Sequence, residues 1–361
     1  MKKILFVSGV SGNGGTQTWT REYLNSLKSN EFKLIHINLS SRRGLKAEAS
    51  IIERIKDGLL DLREVYSDVR NALRSHRPPV MHTATSGSLG TLRDYVLIKL
   101  AHKYNTKGIL HCHYGCISQD YKGKGPMGWL LRRTLNLYDQ VWVLDSTTES
   151  FLKSLKGFEN KVFLTPNFIE VDTSLQLRPK KYKKVAFIGN LVPTKGIFEL
   201  TQAVKQLSDT ELLLIGPAEP IIKEELEKII GRDSNRIHLL GRIDNKELVK
   251  KLDDIDIIAL PTYYPWEAFP ISILEAMSHG CLVLSCPRAA IPDMLTDTSG
   301  NMCGLLVEPR SISPISDAIR WCQENCEDAD IMRYNAYDKV KKCYSKEIVF
   351  KKYTDLYKKL I

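Results

Sequence analysis

The strongest constraint on the fold is an alternation of short apolar segments and helical patterns that runs through the chain twice. In the first pass, the apolar segments have the length of buried strands, and helical periodicity lies between most of them. These segments are Lys3–Ser8, Lys33–Asn38, Val80–Thr83, Gly108–Cys112, Gln140–Leu144 and Lys161–Thr165. Such an alternation predicts a parallel sheet with helices on both faces.

The alternation restarts after Leu164–Asp172 and a polar, basic stretch that ends in Arg178–Lys184, and we interpret this whole region as the linker. Because 361 residues are too many for one ordinary core, we predict two tandem α/β domains. Their predicted limits are 1–175 and 176–345. Residues 346–361 are predicted to form a C-terminal helix, with packing back on the first domain as one option. We expect a cleft between the domains, with ligands at the carboxyl ends of the strands.

The positive charge of the chain is concentrated in its first half. The net charge is +10, and residues 1–175 hold 25 Lys and Arg against 16 Asp and Glu, a balance of +9. This excess favours an anionic partner, such as a lipid surface, a phosphate-bearing acceptor or a nucleic acid, although solubility alone also explains it. The basic residues are dispersed and accompany no nucleic-acid-binding motif, so we expect no nucleic-acid partner.

Two further features bear on where the protein works. No apolar run reaches the ~20 residues of a membrane-spanning helix, and the chain starts with a strand-like segment instead of a signal peptide, so we expect a cytoplasmic protein. The eight cysteines are scattered, which disfavours a disulfide framework. His111, Cys112, His113 and Cys116 match no zinc spacing, so buried thiols are the better interpretation.

The most informative local stretch is Pro261–Gly280, which contains Glu267 and Glu275 with seven residues between them. The first glutamate lies in a loop rich in proline and aromatic residues, and the second lies in a helix predicted to begin at Pro270. A helix N-terminus favours anions, because its first N–H groups have no acceptor within the helix. Two acids flanking such a site suit a ligand with phosphates at its centre and hydroxyl groups at both ends, as in a nucleotide sugar.

A glycine-and-lysine motif precedes the glutamates. A predicted strand ends at Gly189, a loop follows, and Lys195-Gly196 stands at the start of a helix. Glycine lets the backbone approach a phosphate, and lysine supplies a point charge. The pattern also occurs in ordinary strand–helix connections, so its weight comes from its combination with the glutamates.

Together these motifs resemble glycosyltransferase family 4, the retaining group 1 glycosyltransferases with the GT-B fold. The similarity covers nearly the whole chain and is strongest over residues 185–310. It also rests on Leu240-Gly241 and Gly304–Pro309 in the second half. In the first half it rests on Gly14-Gly15-Thr16, His113-Tyr114-Gly115 and Pro166-Asn167. The resemblance implies two tandem Rossmann-like domains and transfer of a sugar with retention.

The resemblance also implies roles for individual residues. Glu267 contacts hydroxyls of the donor sugar, Glu275 accepts from the ribose, and Lys195 neutralises the leaving diphosphate. His113 reaches the donor sugar, and we expect it to titrate near neutral pH. The implied donor-binding set is Gly14, Gly15, Thr16, Gly189, Asn190, Lys195, Gly241, Arg242, Phe269, Pro270, Ile271 and Glu275. The alternatives are a solvated helix face for the glutamates, a core histidine and a plain turn at Gly14–Thr16.

One position departs from the family pattern. The family usually has an arginine where this chain has Asn190, so one positive charge of an expected pair is absent. Arg242 or Arg288 is a candidate for supplying that charge from another loop. The departure keeps a second hypothesis open, in which the chain is a non-catalytic nucleotide-sugar-binding or scaffold protein of the same fold.

We expect no metal ion and no cofactor beyond the UDP- or GDP-sugar substrate. Asp254-Ile-Asp256 and Asp328-Ala-Asp330 match the Asp-x-Asp string of metal-dependent transferases, but both are interpreted as solvated surface. The acceptor is expected to be a glycan or a polyprenyl-linked molecule of cell-surface polysaccharide synthesis. Tyr121–Tyr138 mixes aromatic, leucine and basic residues, so it is predicted either to contact a membrane surface or to pack as an ordinary helix.

Overall fold

The computed structural model describes residues 1–12, 14–26, 31–40 and 51–361. The described chain forms two compact units, and the predicted α/β class with two tandem domains is confirmed. The first unit comprises Met1–Pro166 and Phe350–Ile361, and the second comprises Asn167–Val349. The chain therefore passes between the units at residues 166/167 and 349/350, whereas the limits drawn from the sequence are 175/176 and 345/346.

The first unit is built on six parallel strands. They are β1 (Lys2–Ser8), β2 (Phe32–Asn38), β3 (Val80–Thr85), β4 (Lys107–Cys112), β5 (Gln140–Val143) and β6 (Val162–Leu164). The helices along this part of the chain are α1 (Gly15–Ser26), α2 (Ile51–His76), α3 (Gly90–Lys103), α4 (Ile117–Lys122), α5 (Pro126–Leu137) and α6 (Ser146–Lys153). The strand order is β2-β1-β3-β4-β5-β6, so the direction of winding reverses between β1 and β3.

The second unit repeats this plan. Its strands are β7 (Lys184–Ile188), β8 (Glu211–Ile215), β9 (Ile237–Gly241), β10 (Ile257–Leu260), β11 (Leu282–Ser285) and β12 (Leu305–Leu306). The helices that follow are α7 (Ile197–Lys205), α8 (Pro220–Ile230), α9 (Asn245–Asp254), α10 (Ile271–Ser278), α11 (Ile291–Met294), α12 (Ser313–Glu324), α13 (Cys326–Lys339) and α14 (Lys346–Leu360). The strand order is β12-β11-β10-β7-β8-β9, with the reversal between β7 and β10.

Continuous burial explains why the strands are recognisable in the sequence. Ile4–Val7 in β1 and Val185–Phe187 in β7 are fully buried, because helices cover both faces of each parallel sheet. Among the described elements that the sequence did not predict are the two-residue β12 and the four-residue α11, which are too short to have a period.

From Phe350 onward α14 belongs to the first unit, although Asn167–Val349 belong to the second. Tyr357 is fully buried there, and its hydroxyl lies 2.5 Å from both the Tyr23 hydroxyl and His82 Nδ1. The Gln140 side chain donates a hydrogen bond to the Leu356 carbonyl over 3.1 Å. These buried polar contacts specify where the C-terminal helix packs.

Candidate functional site

The reversal of strand order places the main candidate site of the second unit. Ligands of doubly wound sheets bind at the carboxyl ends of the strands on either side of this reversal. The loop after β7 contains Gly189, Asn190 and Lys195, and the loop after β10 contains Glu267. The structure therefore brings the glycine–lysine motif and the first glutamate to the same point of the sheet.

The two loops are tied together by backbone contacts. Tyr263 N–H donates to the Thr194 carbonyl over 2.9 Å. Gly196 has a φ of 75°, and a Cβ added to it would lie 2.3 Å from the Pro261 carbonyl oxygen. Only glycine combines this left-handed backbone with so close an approach. Lys195 is consequently held against the loop that carries Glu267.

Lys195 and Glu267 form an ion pair at this point. Lys195 Nζ lies 3.4 Å from Glu267 Oε2, and the two side chains are 20% and 12% exposed. Among the described residues, Glu267 Oε2 is buried and has no hydrogen-bond partner. Lys195 Nζ would also lie 3.6 Å from a Cβ added to Gly189. The pair combines a cation and an under-bonded carboxylate, which can interact with phosphate and with hydroxyl groups, respectively.

Gly216, at the end of the neighbouring strand β8, contacts the Gly189 loop. The sequence did not identify Gly216 as a site residue. Gly216 follows β8, has a φ of 145°, and a Cβ there would lie 1.8 Å from the Gly189 carbonyl oxygen. Its N–H donates to the Gly241 carbonyl over 2.8 Å. The available sequence signal was a glycine that directly follows the strand Glu211–Ile215, as Gly189 follows β7.

The helix that carries Glu275 begins one residue later than predicted. Pro270 is the N-cap of α10, with φ −64° and ψ 117°, and Ile271 is the first helical residue. Proline lacks an N–H, so the first amides that can meet a ligand are those of Ile271 and the residue after it. Glu275 lies in the second turn and is partly exposed, and Phe269 before the cap is 5% exposed.

The remaining predicted donor-site residues of this unit lie at the same edge of the sheet. Asn190 and Arg242 are exposed, and Gly241 ends β9 with a φ of 64°. Arg288 follows β11 and donates from Nη2 to the Pro265 carbonyl in the loop of Glu267. Arg288, one of the two arginines considered as substitutes for the missing charge, therefore contacts that loop.

The first unit has its reversal between β1 and β3, and the glycine motif lies there. Gly15 starts α1, and a Cβ added to it would meet nothing within 4 Å. Thr18 N–H donates to the Gly14 carbonyl over 3.1 Å, and Thr16 lies in the first turn. Arg21 donates to the carbonyls of Val10 and Gly12 over 2.8 and 2.9 Å, which holds the loop in place.

His113 follows β4 in the same unit and is 8% exposed. Its N–H backbone group donates to the Thr85 carbonyl over 2.8 Å, and its ring lies 4.3 Å from that of Trp19. Burial lowers the pKa of His113 to about 3, so the expectation that it titrates near neutral pH is wrong. Within the described part of the chain, its Nε2 is buried and lacks a hydrogen-bond partner.

Two more histidines accompany His113. His82 and His111 are fully buried, and their rings stack with centroids 5.4 Å apart. Burial and the proximity of His113 lower the pKa of each well below its usual value. All three are therefore neutral at pH 7, and this corner of the first unit offers hydrogen bonds without charge.

The Asp-x-Asp strings have structural roles away from the donor loops. Asp256 precedes β10 at the opposite edge of the sheet and accepts from the N–H groups of Lys183 and Lys184 over 2.9 and 3.0 Å. Asp330 Oδ1 accepts from the Tyr182 hydroxyl over 2.6 Å and from Arg333 over 2.7 Å. Over the described ranges, no three His, Cys, Asp or Glu side chains are grouped as metal ligands.

Helix α5 occupies the segment considered for membrane contact. One face is buried through Leu131 and Leu135, whereas Met127 and Trp129 are 42% and 50% exposed. The Arg133 guanidinium lies 5.5 Å from the Trp129 ring. None of the described helices is both long and apolar enough to cross a bilayer.

Comparisons with known proteins agree with this architecture. Residues 170–339 match the family model of glycosyl transferases group 1. The O-antigen biosynthesis glycosyltransferase WbnH of Escherichia coli is 25% identical over 318 residues, which cover 85% of this chain and 84% of that protein. An uncharacterized 41.2 kDa protein in the cps region of Klebsiella pneumoniae is 23% identical over 276 residues, covering 72% and 74%.

A solved structure of Anabaena Alr3699/HepE in complex with UDP has the same fold. It superposes with a TM-score of 0.77 at 16% identity, and the match covers 99% of this chain and 100% of that one. At this identity the likeness concerns the fold alone. The chain thus has the GT-B fold, and the match to the group 1 glycosyl transferase model lies within its second unit.

Proposed function

We propose that the chain is a retaining glycosyltransferase of cell-surface polysaccharide synthesis. It would move a hexosyl or related sugar from a UDP- or GDP-sugar to a glycan or polyprenyl-linked acceptor. The observation that carries the proposal is the Lys195–Glu267 pair at the reversal of strand order in the second unit. Two similar proteins support it, because WbnH is an O-antigen biosynthesis glycosyltransferase and the HepE structure holds UDP.

The ion pair has a direct interpretation in a donor complex. When a diphosphate binds, Lys195 exchanges the Glu267 carboxylate for phosphate oxygens, which bear more charge. Glu267 is then available to accept hydrogen bonds from sugar hydroxyls, and Glu275 accepts from the ribose at the other end of the donor. The N-terminus of α10 lies between the two glutamates along the chain and adds its partial positive charge.

We propose a chemical step that retains the configuration of the sugar. The acceptor oxygen bonds to the anomeric carbon on the face that the phosphate leaves, and the bond between that carbon and the phosphate oxygen breaks. The acceptor proton passes to the departing phosphate, so no protein base is required. Lys195, Arg288 and the amides at the start of α10 stabilise the charge that accumulates on the diphosphate. We propose that these groups perform the neutralisation without a metal ion.

His113 takes a neutral role in this scheme. With a pKa of about 3, its imidazole is uncharged during turnover and can donate or accept one hydrogen bond through Nε2. It therefore orients a sugar hydroxyl instead of transferring a proton. The open space at Gly15 is consistent with approach of a phosphate to the backbone there.

A membrane-linked acceptor fits the exposed part of α5. Trp129 and Met127 present apolar surface beside Arg133, and Lys122 and Lys124 precede the helix. Aromatic residues next to lysine and arginine suit an interface with anionic lipids. We propose peripheral contact of this face with the inner surface of the plasma membrane, which would place the protein on the cytoplasmic side.

The test begins with a thermal-shift panel of UDP, GDP and their sugars, followed by transfer to a lipid-linked acceptor extract. Lys195→Ala is expected to lower kcat/KM at least ~100-fold, because one charge on the leaving group is lost. Glu275→Ala is expected to raise the donor KM. The matched control is Lys223→Ala, because Lys223 is 62% exposed and pairs with Glu227 on α8.

Three outcomes would contradict the proposal. Wild-type rates for both Lys195→Ala and Glu275→Ala would reject the site. An inverted anomeric configuration in the product, read by NMR, would reject retention. Loss of transfer in EDTA, with recovery on addition of a divalent cation, would reject metal independence.

A second candidate function is supported by Asn190, which stands where the family usually has an arginine. In that case the chain binds nucleotide sugars without turning them over. Nucleotide binding without transfer or hydrolysis of any donor would favour it, and any enzyme-dependent release of UDP or GDP would exclude it.

A further inference from the structure

We propose that Asn167 is a positioning residue of the donor site, acting through the carbonyl group of Phe269. This inference deepens the proposed function, because it names a residue that holds the loop between Glu267 and α10. Asn167 is the first residue of the second unit and is 3% exposed. The sequence had identified it only as the entry to the linker.

The contact is a single, well-defined hydrogen bond. Asn167 Nδ2 donates to the Phe269 carbonyl over 3.0 Å. The orientation of the amide follows from this partner, because the reverse orientation would set two oxygen acceptors against each other. In the described part of the chain, Asn167 Oδ1 is buried and has no hydrogen-bond partner. A buried amide oxygen without a hydrogen-bond partner destabilises the folded chain. We therefore infer that the hydrogen bond made by Asn167 Nδ2 has a role that offsets this destabilisation.

Phe269 lies where this hydrogen bond can affect the donor site. It lies two residues after Glu267, and its carbonyl belongs to the peptide that leads into Pro270, the N-cap of α10. The same short loop is fixed at the preceding residue, where the Ala268 carbonyl accepts from Ala290 N–H over 3.0 Å. Two acceptors in succession therefore set the peptide planes between Glu267 and the first free amides of the helix.

The segment at the end of the second unit contacts the side chain of Phe269. The Tyr344 ring meets the Phe269 ring edge-on, with centroids 5.4 Å apart, and Tyr344 is 6% exposed. Ile169 N–H donates to the Tyr344 carbonyl over 3.0 Å, and Ile169 forms a parallel bridge with Ser345. The segments that begin and end the second unit are thus paired with each other, and both contact Phe269.

From this geometry we expect nucleotide binding at the donor site to be energetically coupled to the segments that begin and end the second unit. A ligand that requires one arrangement of the Glu267–Pro270 loop will favour one arrangement of Asn167, and the reverse also holds. The prediction concerns the affinity for the nucleotide, because the loop is set before chemistry takes place.

The decisive variant is Asn167→Asp, which preserves size but removes the donor. At pH 8 the ionised aspartate would face the Phe269 carbonyl. We expect the affinity for UDP to fall about tenfold, which corresponds to the loss of one hydrogen bond. Burial raises the pKa of a carboxyl group, so the protonated form, which can donate, becomes populated at lower pH. The deficit relative to wild type should therefore shrink at pH 5.5.

The comparison with wild type is made at each pH by calorimetric titration. The ionisable groups on the neighbouring segments are Glu170, Glu267, Tyr344 and Lys346, and they are unchanged in the variant. The matched control is Asn335→Asp, because Asn335 Nδ2 donates to the Met302 carbonyl over 3.2 Å on an exposed part of the same unit. The control is expected to bind the nucleotide as wild type does at both pH values.

A ligand-free measurement separates this inference from the proposed function. Hydrogen–deuterium exchange at one pH is compared for Asn167→Ala, Asn335→Ala and wild type, and faster exchange confined to peptides spanning 264–275 is expected for the first variant only. If wild type binds neither UDP nor GDP, the proposed function fails while the exchange result still decides the role of Asn167. Wild-type exchange in that region, or an affinity deficit in Asn167→Asp that is equal at both pH values, would overturn the inference.

Discussion

Each unit is a six-stranded parallel sheet with one reversal of strand order, yet the side chains near that reversal differ in charge between the two units. In the first unit, His82, His111 and His113 are buried, uncharged and packed against aromatic rings. In the second unit, Lys195 and Glu267 are charged and partly exposed on glycine-dependent loops. Neutral buried imidazoles therefore lie at this corner of the first unit, whereas an ion pair lies at the reversal of strand order in the second.

Glycine is also used differently at the two edges. A Cβ at Gly15 would meet nothing within 4 Å, so the space beside it is open. A Cβ at Gly216 would overlap the Gly189 carbonyl oxygen at 1.8 Å. Gly15 therefore leaves open space, whereas Gly216 permits two backbone segments to touch.

The largest effect is expected for Gly216→Ala compared with Gly15→Ala. Gly216 combines a φ of 145° with backbone overlap, so the substitution should lower the free energy of unfolding by about 3 kcal/mol or more and weaken nucleotide binding. Gly15→Ala should change it by no more than about 0.5–1 kcal/mol, because the added methyl group is at a helix start with space around it. Urea denaturation monitored by circular dichroism measures both. Equal losses would show that the two edges do not differ in this respect.

Acid should selectively lower the stability of the first unit. The pKa of His113 is about 3 in the folded chain and about 6.5 when unfolded. Below pH 6.5 the unfolded state binds a proton that the folded state does not, so the stability contributed by the neutral imidazole is complete above pH 6.5 and is lost as pH falls. At pH 5 the loss is about 2 kcal/mol for this residue, at about 1.4 kcal/mol per pH unit.

His113→Phe removes that proton-binding site while keeping an aromatic ring beside Trp19 and His111. The drop in unfolding free energy between pH 7 and pH 5 should be smaller by about 2 kcal/mol than in wild type. Scanning calorimetry at the two pH values gives the comparison. An unchanged drop would mean that His113 is protonated in the folded chain, and the neutral role assigned to it would be wrong.

The sequence predicted the sheets better than the site. Strands such as Ile4–Val7 are buried on both faces, so their apolar character is visible without any knowledge of neighbours. The loops after β7 and β10 were also recognised, because glycine, lysine and glutamate are unusual together at strand ends. The strand order, which brings those two loops together, depends on crossovers that no local pattern encodes.

Three properties of the site depended on contacts across long stretches of chain. Asn167 and Phe269 are separated by 102 positions, so their hydrogen bond has no signature in either segment. Gly216 is required by the Gly189 carbonyl, which belongs to another strand end. The low pKa of His113 results from burial among rings contributed by several elements, whereas its sequence position alone suggested an ordinary histidine.

The smallest expected effect concerns the surfaces of the two units. Trp129 is 50% exposed beside Arg133 in the basic first unit, whereas Ile221 is 67% exposed on α8 of the second unit, whose sequence lacks a comparable excess of positive charge. If the first unit contacts anionic lipid, Trp129→Ser should lower binding to vesicles containing phosphatidylglycerol several-fold, by about 1 kcal/mol, and Ile221→Ser should not.

Co-sedimentation with these vesicles and with neutral phosphatidylcholine vesicles, at low and high salt, gives the measurement. Because the attraction is partly electrostatic, wild-type binding should also weaken with salt. Equal binding of wild type and Trp129→Ser, or no preference for anionic vesicles, would assign α5 to the packing of the first unit alone.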